Sequence, residues 1–416
     1  MMYRATRLKV LATAYVCDRD RGSEPGNAYR TLEALSWRPE IESLTVLVRH
    51  RDAGKLVADS ISWNLVPRIV PVADEVNRSL RFSDVTRTYL RYWRWKRAAA
   101  KVVAGEEFDV GHHITYGSLS LGNPLARSNK PYLVGPAGGG HPYWRGVVRW
   151  LGLKAVAKEL ARLSAALLLD VLPSPARRGA ARSSRVLAVN EHTARRAQRL
   201  GAERVDFMLA EGTLPAVPAC VQETPLEHRA GFVWVGRMLP IKAPLLAVKA
   251  YELYLAGGGE QKLTMLGDGP LLEVVREYVR SRGGLQGMVE VSGRVPHRDV
   301  YRQLAKSVAL VFSSIRDSSG AQVLEAATCG TPAVMCEWQL MTQWVPKDAR
   351  WTARRMSTAL AEVHSLADAL TEASAALNDG RWAQHSRYAL EWSSLHAWDT
   401  RAAELVQKYR EVSGIA

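Results

Sequence analysis

The sequence predicts an α/β protein of two doubly wound domains, each with a parallel sheet between layers of helices. The chain has 416 residues and 47% hydrophobic composition, which is more than one ordinary domain needs. Short apolar runs rich in β-branched residues alternate with helical patterns, as expected for parallel sheets. This alternation restarts after a proline-rich segment. A ligand is expected in the cleft between two such domains.

Five apolar runs predict the strands of the first domain. They lie at residues 8–14, 44–48, 108–114, 131–134 and 185–189. A segment containing Pro215, Pro218 and Pro225 then interrupts the pattern and is interpreted as a linker. The predicted boundaries are 1–213 for the first domain, 214–229 for the linker, 230–390 for the second domain and 391–416 for a C-terminal helix. Packing of that helix on the first domain is one option.

The second domain repeats the scheme. Strands are predicted near Phe232, Leu263, Val289, Leu310 and Ala333. Helices are predicted to open near Lys242, Pro270, Arg298 and Ala321. In the tail, apolar residues share one helical face at Trp398, Ala402, Leu405 and Tyr409.

The formal net charge of +15 is concentrated in the first half of the chain. Residues 1–200 contain 33 Lys and Arg against 17 Asp and Glu, whereas the remainder contains 23 against 24. This asymmetry favours an anionic partner, which is an acidic lipid surface, a phosphorylated acceptor or nucleic acid. Nucleic acid is disfavoured because no recognition motif accompanies the charge.

The sequence favours a cytoplasmic protein, with membrane association left open. No run of about 18 apolar residues could span a membrane. The basic N-terminus precedes an apolar run at 10–16, but this run ends in Asp18-Arg19-Asp20 without a small-residue cleavage site, so a first buried strand is the preferred reading. The four cysteines show no CxxC spacing, which predicts a reducing compartment and no structural metal.

Two segments of the second domain carry candidate binding residues. Gly236, Arg237 and Lys242 follow a predicted strand and precede a helix, where backbone amides and cations suit a diphosphate. The alternative is an ordinary loop with two solvated cations. Farther on, Asp317 precedes a helix and Glu325 lies about two turns along it, so both could accept hydrogen bonds from sugar hydroxyls. The alternative roles are a helix N-cap and an exposed helical residue.

Four segments of the second half of the chain follow one another in a fixed order, which are the Gly236 to Lys242 segment, Gly267-Asp268-Gly269-Pro270, Ser292-Gly293-Arg294-Val295-Pro296 and the segment with Asp317 and Glu325. On these four segments, the second half of the chain resembles glycosyltransferase family 4, whose fold is GT-B. The resemblance implies a retaining transferase for a nucleotide-diphosphate sugar. It implies that Arg237 and Lys242 bind the diphosphate, that the backbone at Val295 reads the base and that Glu325 holds the ribose. The first acid of the pair is usually glutamate. Here it is Asp317, and with Ser319 and Gly320 it resembles a branch with an Asp-Ser-Gly-Gly variant.

The first half resembles the same branch more loosely. The loop with Gly22 and Gly26 looks like a glycine-rich loop facing the donor, and a plain strand–helix turn is the alternative. Many family members carry a histidine at the reaction centre, where this chain has Ala137. His141 could serve instead, or it is simply exposed. For His112 and for His113, a position in the core and a position facing the cleft are both left open.

No cofactor or metal is predicted besides the nucleotide-sugar substrate. Asp18-Arg19-Asp20 spells a DxD, but two acids fall short of a cation shell. The acceptor is left open between a glycan, a lipid-linked molecule and a small molecule. A non-catalytic GT-B subunit that binds nucleotide sugar or scaffolds glycan assembly is the second hypothesis. A dinucleotide-dependent dehydrogenase is disfavoured, since no GxGxxG follows either first strand.

Two basic amphipathic stretches raise the question of membrane contact. In the first, Val85, Tyr89 and Trp93 lie on one side of a predicted helix, and three arginines lie on another, Arg87, Arg91 and Arg94. The second has a leucine-rich stripe over 153–167 opposite basic residues. Such helices suit an anionic membrane interface, and packing on the sheet with a solvated basic face is the alternative.

Overall fold

The computed structural model of the chain describes residues 6–76, 83–139, 148, 150, 152–213 and 229–415. The chain divides into two compact units. The first contains Met1–Gly139, Leu163–Gly212 and Trp398–Ala416, and the second contains Gly140–Arg162 and Thr213–Ala397. Each unit is an α/β domain with one parallel sheet.

The first unit has a seven-stranded sheet with the order β3-β2-β1-β4-β5-β6-β7. The strands are β1 (Leu8–Ala14), β2 (Ile41–Arg49), β3 (Arg68–Val72), β4 (Val110–Thr115), β5 (Tyr132–Ala137), β6 (Arg185–Ala188) and β7 (Val205–Phe207). The helices are α1 (Glu24–Ser36), α2 (His50–Ser60), α3 (Asp84–Ala104), α4 (Leu153–Val171), α5 (Pro175–Ala181) and α6 (Glu191–Arg199). Only the part of α4 from Leu163 onward belongs to this unit. The sequence placed five of the strands and left out the two edge strands β3 and β7, which are short and only partly buried.

Alternate residues of β1 enter two hydrophobic cores, as the pleat of a strand requires. Val10 packs in one core with Leu405 and Tyr409. Leu11 packs in the other with Trp95. Apolar helices therefore cover both faces of this sheet, which explains why its central strands read as continuous hydrophobic runs.

The second unit has a six-stranded sheet with the order β10-β9-β8-β11-β12-β13. The strands are β8 (Phe232–Val235), β9 (Leu263–Leu266), β10 (Val289–Gly293), β11 (Ala309–Phe312), β12 (Ala333–Cys336) and β13 (Arg350–Ala353). The helices are α7 (Pro244–Ala256), α8 (Leu272–Arg280), α9 (His297–Lys306), α10 (Ala321–Thr328), α11 (Ala359–Asn378) and α12 (Arg381–Ser394). Again the strand that the sequence left out, β13, lies at an edge.

The C-terminal helix α13 (Trp398–Ser413) belongs to the first unit, where it contacts α1. Residues 140–162 differ from the predicted boundaries, because they group with the second unit. Val156 packs against the core of that unit, and Glu159 pairs with Arg316 at 3.3 Å. Of the predicted linker, residues 214–228 lie outside the described residues. Nothing in the spacing of apolar residues signals such exchanges of chain between units.

Candidate functional site

Three loops of the second unit meet at the carboxyl ends of β8, β9 and β10. The Met238 amide donates to the Asp268 carbonyl at 2.8 Å, and the Leu271 amide donates to the Met238 carbonyl at 3.0 Å. The Gly267 amide donates to the Gly293 carbonyl at 2.7 Å. Backbone hydrogen bonds thus join the glycine-containing segments that the sequence singled out, at the sheet edge where parallel α/β domains bind ligands.

Glycine is needed at the closest approach of these loops. Gly267 has φ of +139°, and a Cβ added there would lie 1.8 Å from the Gly236 carbonyl oxygen. Any other residue would therefore both strain the backbone and push the two loops apart. The close contact positions Gly236 and the exposed Arg237 at the carboxyl end of β8.

Lys242 and Asp317 form an ion pair at the same edge. Lys242 ends a short 3-10 turn, Pro240–Lys242, and Asp317 lies in the loop between β11 and α10. The Ser314 hydroxyl donates to Asp317 Oδ2 at 3.5 Å. Both charged side chains keep about 16% of their surface exposed, so an incoming ligand can reach them. The structure thus brings together two of the predicted donor-binding residues.

Helix α10 begins in tight packing. A Cβ at the buried Gly320 would lie 2.9 Å from Met341 Cγ, so a larger residue here would require Met341 to shift. The side-chain amide of Gln322 donates from Nε2 to the Val235 carbonyl at 3.4 Å, which connects the start of α10 to the end of β8. Ser319, just before the helix, is partly buried. Gln322 was not predicted as a site residue.

Glu325 lies one further turn along α10 and interacts with His297. The distance between His297 Nε2 and Glu325 Oε1 is 3.0 Å. This hydrogen bond raises the pKa of His297 above its ordinary value. His297 opens α9 directly after Val295-Pro296, so its place behind the glycine–arginine–valine loop was the one signal in the sequence that could have revealed it.

The second unit is where the chain resembles known families. A family profile described as glycosyl transferases group 1 matches residues 229–375. The matched range includes Arg237, Lys242, Asp317 and Glu325. A 2-deoxystreptamine N-acetyl-D-glucosaminyltransferase from Streptomyces fradiae is 35% identical over 101 residues, which span 24% of each protein.

Solved structures resemble nearly the whole chain. Sucrose-phosphate synthase from Thermosynechococcus elongatus matches with a TM-score of 0.65 and 16% identity, covering 98% of this chain and 100% of that one. Anabaena HepE in complex with UDP and glucose matches with a TM-score of 0.60 and 15% identity, covering 96% and 100%. The fold is that of GT-B glycosyltransferases. Arabidopsis thaliana starch synthase IV bound to ADP and acarbose also matches, with a TM-score of 0.65, 13% identity and coverage of 98% and 100%.

These similarities support a glycosyltransferase and leave its finer assignment open. The GT-B fold, with two Rossmann-like domains, is the fold expected from the sequence. Identities of 13–16% with the solved structures establish the fold alone. Membership of family 4 and the Asp-Ser-Gly-Gly branch therefore stay predictions.

In the first unit, the glycine loop is held by its own backbone. A Cβ at Gly26 would lie 2.3 Å from the Arg21 carbonyl oxygen, so glycine lets the first turn of α1 pack on the loop. Gly22 is exposed and has open space around it. A structural reason thus exists for Gly26, whereas donor contact of Gly22 stays a prediction.

His112 and His113 are core histidines, which contradicts the prediction that one of them faces the sugar. Both side chains are buried. His112 Nε2 donates to the Gly135 carbonyl at 2.7 Å, while its Nδ1 accepts from the Tyr409 hydroxyl at 2.6 Å. His113 is bonded to Thr13 and to the Tyr116 carbonyl. The rings fill the core beside β4 because neutral imidazole satisfies both partners there.

Burial holds both rings in the neutral form. It lowers the pKa of His112 to about 4 and, together with the neighbouring His112, that of His113 to about 3. Such groups do not exchange protons near neutral pH. His141, the third histidine predicted at the reaction centre, lies outside the described residues.

Asp18 and Asp20 both pair with the same lysine. Lys55 Nζ pairs with both carboxylates, at 2.6 Å from Asp20 Oδ2. Across the described part of the chain, no group of three or more His, Cys, Asp and Glu residues could hold a metal ion. The two carboxylates thus belong to a surface ion-pair cluster, and the absence of a metal stays a prediction.

Proposed function

We propose that the protein is a retaining glycosyltransferase that moves a sugar from a nucleotide-diphosphate sugar to an acceptor hydroxyl. The observations that carry this proposal are the ion pair of Lys242 with Asp317 and the close packing of the Gly236 loop on Gly267, at the carboxyl ends of the second unit's strands. The group 1 family profile, which matches over the same residues, supports it. Retention and membership of family 4 follow from the sequence resemblance.

Each group has a defined task in this proposal. The bond between the anomeric carbon and the diphosphate oxygen breaks, the acceptor oxygen bonds to the same face, and its proton passes to the diphosphate. Arg237 and Lys242 stabilise the charge that develops on this leaving group. Asp317 accepts hydrogen bonds from sugar hydroxyls, and Glu325 accepts them from the ribose.

The ion pair of Lys242 with Asp317 is compatible with phosphate binding by Lys242. A lysine ammonium has three donors, so Lys242 can keep Asp317 as a partner while it binds a phosphate oxygen. Asp317 is then held where a sugar attached to that phosphate would lie. The solved relatives were captured with UDP and glucose and with ADP, which supports a nucleoside diphosphate as the shared part of the donor.

Nucleoside diphosphates test the proposal directly. We expect one of UDP, ADP, GDP or dTDP at 1 mM to raise the melting temperature, because a ligand that binds only the folded state stabilises by RT ln(1 + [L]/Kd). Arg237→Ala should abolish the rise without changing the melting temperature of the free protein. Arg280→Gln, an exposed position of α8 outside the site, is the matched control. Stabilisation that survives in Arg237→Ala would remove the assignment.

A non-catalytic subunit with the same fold is the remaining alternative. It would bind the nucleotide, and it would respond to Arg237→Ala in the same way. Release of nucleoside diphosphate from radiolabelled nucleotide sugars by the purified protein separates the two, since only an enzyme turns over. Absence of turnover with every sugar of the base that binds would favour the scaffold.

We also propose peripheral contact with an anionic membrane through the end of α4. Leu167, Leu168, Val171 and Leu172 are all at least 55% exposed, and Arg177, Arg178 and Arg199 line the adjacent surface cavity. Exposed apolar residues beside cations suit the interface of acidic lipids. In the described part of the chain, no helix is long and apolar enough to cross a membrane.

Vesicle flotation tests this contact. The protein should float with vesicles containing phosphatidylglycerol and stay behind with vesicles of phosphatidylcholine alone. The double variant Leu168→Ser/Val171→Ser should lose flotation. Equal behaviour with both vesicle types would contradict the proposal.

Helix α3 contains the first of the two basic amphipathic stretches. The face by which it packs is not the apolar side that the sequence predicted. Tyr92 and Trp95 are buried, whereas Tyr89 and Trp93 are 55% and 47% exposed. The side chain of Val85 lies outside the described residues. Of the arginines of α3, Arg91 lines a cavity in the first unit.

A further inference from the structure

A cavity of about 450 Å³ lies in the first unit, at the carboxyl ends of β1, β2 and β4. Its lining comes from the loop after β1, from the start of α2, from α3 and from Tyr116 after β4. The volume is that of a small-molecule site. All of these residues belong to the first unit, and they include Gly22 of the loop that the sequence predicts to face the donor.

The cavity lining carries four arginines and one carboxylate. The arginines are Arg21, Arg49, Arg51 and Arg91, and the carboxylate is Glu24. Glu24 accepts a hydrogen bond from the Gly117 amide at 3.0 Å, and burial raises its pKa. Four guanidinium groups against one carboxylate leave the cavity lining with an excess of positive charge.

One of the four arginines is fixed in advance. Arg49 is 4% exposed, its Nε donates to Asp52 Oδ2 at 2.6 Å, and its guanidinium lies 5.4 Å from the centre of the Tyr15 ring. The Tyr15 hydroxyl in turn donates to Asp74 at 2.9 Å. These contacts leave the outer nitrogens of Arg49 in one orientation, which lowers the entropic cost of binding an anion.

The other three arginines remain available. None of Arg21, Arg51 and Arg91 forms an ion pair with a described carboxylate, and Arg51 lies in the first turn of α2, whose amides also attract negative charge. Several guanidinium groups around one cavity match the several oxygens and double charge of a phosphate monoester.

We infer that this cavity binds a phosphate group carried by the acceptor. Arg51 and Arg91 contact the phosphate, with Arg49 as the fixed member and Arg21 at the rim. The acceptor is thus a phosphorylated molecule, either a sugar phosphate or a phosphate-bearing lipid. Assignment to the acceptor rests on the proposed transferase function, whereas phosphate binding by the cavity does not.

Calorimetry on the full chain at fixed ionic strength tests the inference with inorganic phosphate, glucose 6-phosphate and glucose. We expect saturable binding of both phosphates and none of glucose. Arg51→Gln and Arg91→Gln should each weaken phosphate binding by about 10- to 100-fold, because each removes charge-assisted hydrogen bonds. Arg94→Gln, an exposed arginine on α3 that does not line the cavity, is the matched control and should bind normally.

Absence of phosphate binding, or an equal loss in Arg94→Gln, would overturn the inference. Dihexanoyl phosphatidic acid, below its micelle concentration, distinguishes the two sources. Tighter binding than glucose 6-phosphate, still dependent on Arg91, supports the inference with a lipid acceptor, and weaker binding supports it with a sugar phosphate.

A competition arm separates this inference from the proposed function. Glucose 6-phosphate and the stabilising nucleoside diphosphate should raise the melting temperature additively, because the inference gives each ligand its own site. Displacement of one by the other would assign the cavity to the donor and overturn the inference. If phosphate binds with Arg91 dependence while no nucleoside diphosphate binds, the proposed function fails and the anion site stands.

Discussion

The carboxyl edges of the two sheets carry different arrangements of charge. In the second unit, cations and acids face each other, as in the pairs of Lys242 with Asp317 and of His297 with Glu325. In the first unit, four arginines line a cavity with one carboxylate, Glu24, whose pKa is raised by burial. Two domains of the same topology therefore present different chemistry at equivalent edges.

The difference indicates what each edge can bind. A nucleotide sugar offers phosphates to cations and hydroxyls to carboxylates, so an edge with both signs of charge suits it. An edge with excess positive charge suits a ligand that is mostly anion. The four cavity arginines form part of the positive excess of residues 1–200.

Removal of Lys242 should have the largest effect. Lys242→Ala takes away a leaving-group cation and leaves Asp317 without its partner, so we expect kcat to fall by about 10²- to 10³-fold. Turnover of the nucleotide sugar identified by the binding screen is the measurement. Lys262→Ala, an exposed lysine outside the site, should keep wild-type turnover. A loss of kcat below tenfold would mean that Lys242 does not stabilise the leaving group.

Gly267→Ala tests whether loop geometry, rather than charge, determines nucleotide binding at the carboxyl edge of the second unit's sheet. The added Cβ would meet the Gly236 carbonyl at 1.8 Å, and the backbone strain alone costs about 1–3 kcal/mol. We expect lower stability in urea unfolding and loss of nucleotide binding in the fraction that stays folded. Gly283→Ala, where a Cβ has open space, is the control. Normal nucleotide binding by Gly267→Ala would contradict the role of this contact.

The buried histidines of the first unit, His112 and His113, should make the stability of the protein depend on pH. His112 and His113 are neutral in the folded state, with pKa values lowered to about 4 and about 3, whereas the unfolded chain takes up protons below pH about 6.5. Stability should therefore fall on acidification, by about 1.4 kcal/mol per pH unit for each histidine. Urea unfolding at pH 7.0, 5.5 and 4.5 measures this slope.

His112→Gln should reduce the slope by about half, and His364→Gln, an exposed position, should leave it unchanged. A slope that His112→Gln does not change would show that these rings are not what acid destabilises.

His297 should give the smallest effect. Its pKa is raised by the hydrogen bond to Glu325, so the charged pair is complete below pH about 6.5 and is lost as the pH rises through the raised value. We expect nucleoside diphosphate affinity to weaken by about two- to fivefold from pH 6 to pH 8.5, the size of an exposed pair. Calorimetry should show a flat profile for His297→Gln. A steep profile in that variant would place the titrating group elsewhere.

The sequence predicted all the central strands but, of the four outermost strands of the two sheets, only β10. Runs such as 8–14 are buried on both faces apart from the exposed Lys9, so most of their residues are apolar and the pattern is easy to read. Strands β3, β7 and β13 lie at sheet edges, where partial burial admits Pro71 and Arg350 and weakens the signal. The transfer of residues 140–162 to the second unit depends on side-chain packing at long range, which local patterns do not contain.

The same division holds for the functional residues. Arg237, Lys242, Asp317 and Glu325 could be singled out from the sequence because glycine, turn and helix signals fix their positions at strand ends. The sequence could not decide that His112 and His113 face the core, since that depends on partners such as Tyr409 nearly 300 residues away. Nor could it gather Arg21, Arg49, Arg51 and Arg91 into one cavity. Local patterns determine which strand end a residue follows, and only the packing of distant segments decides what that residue faces.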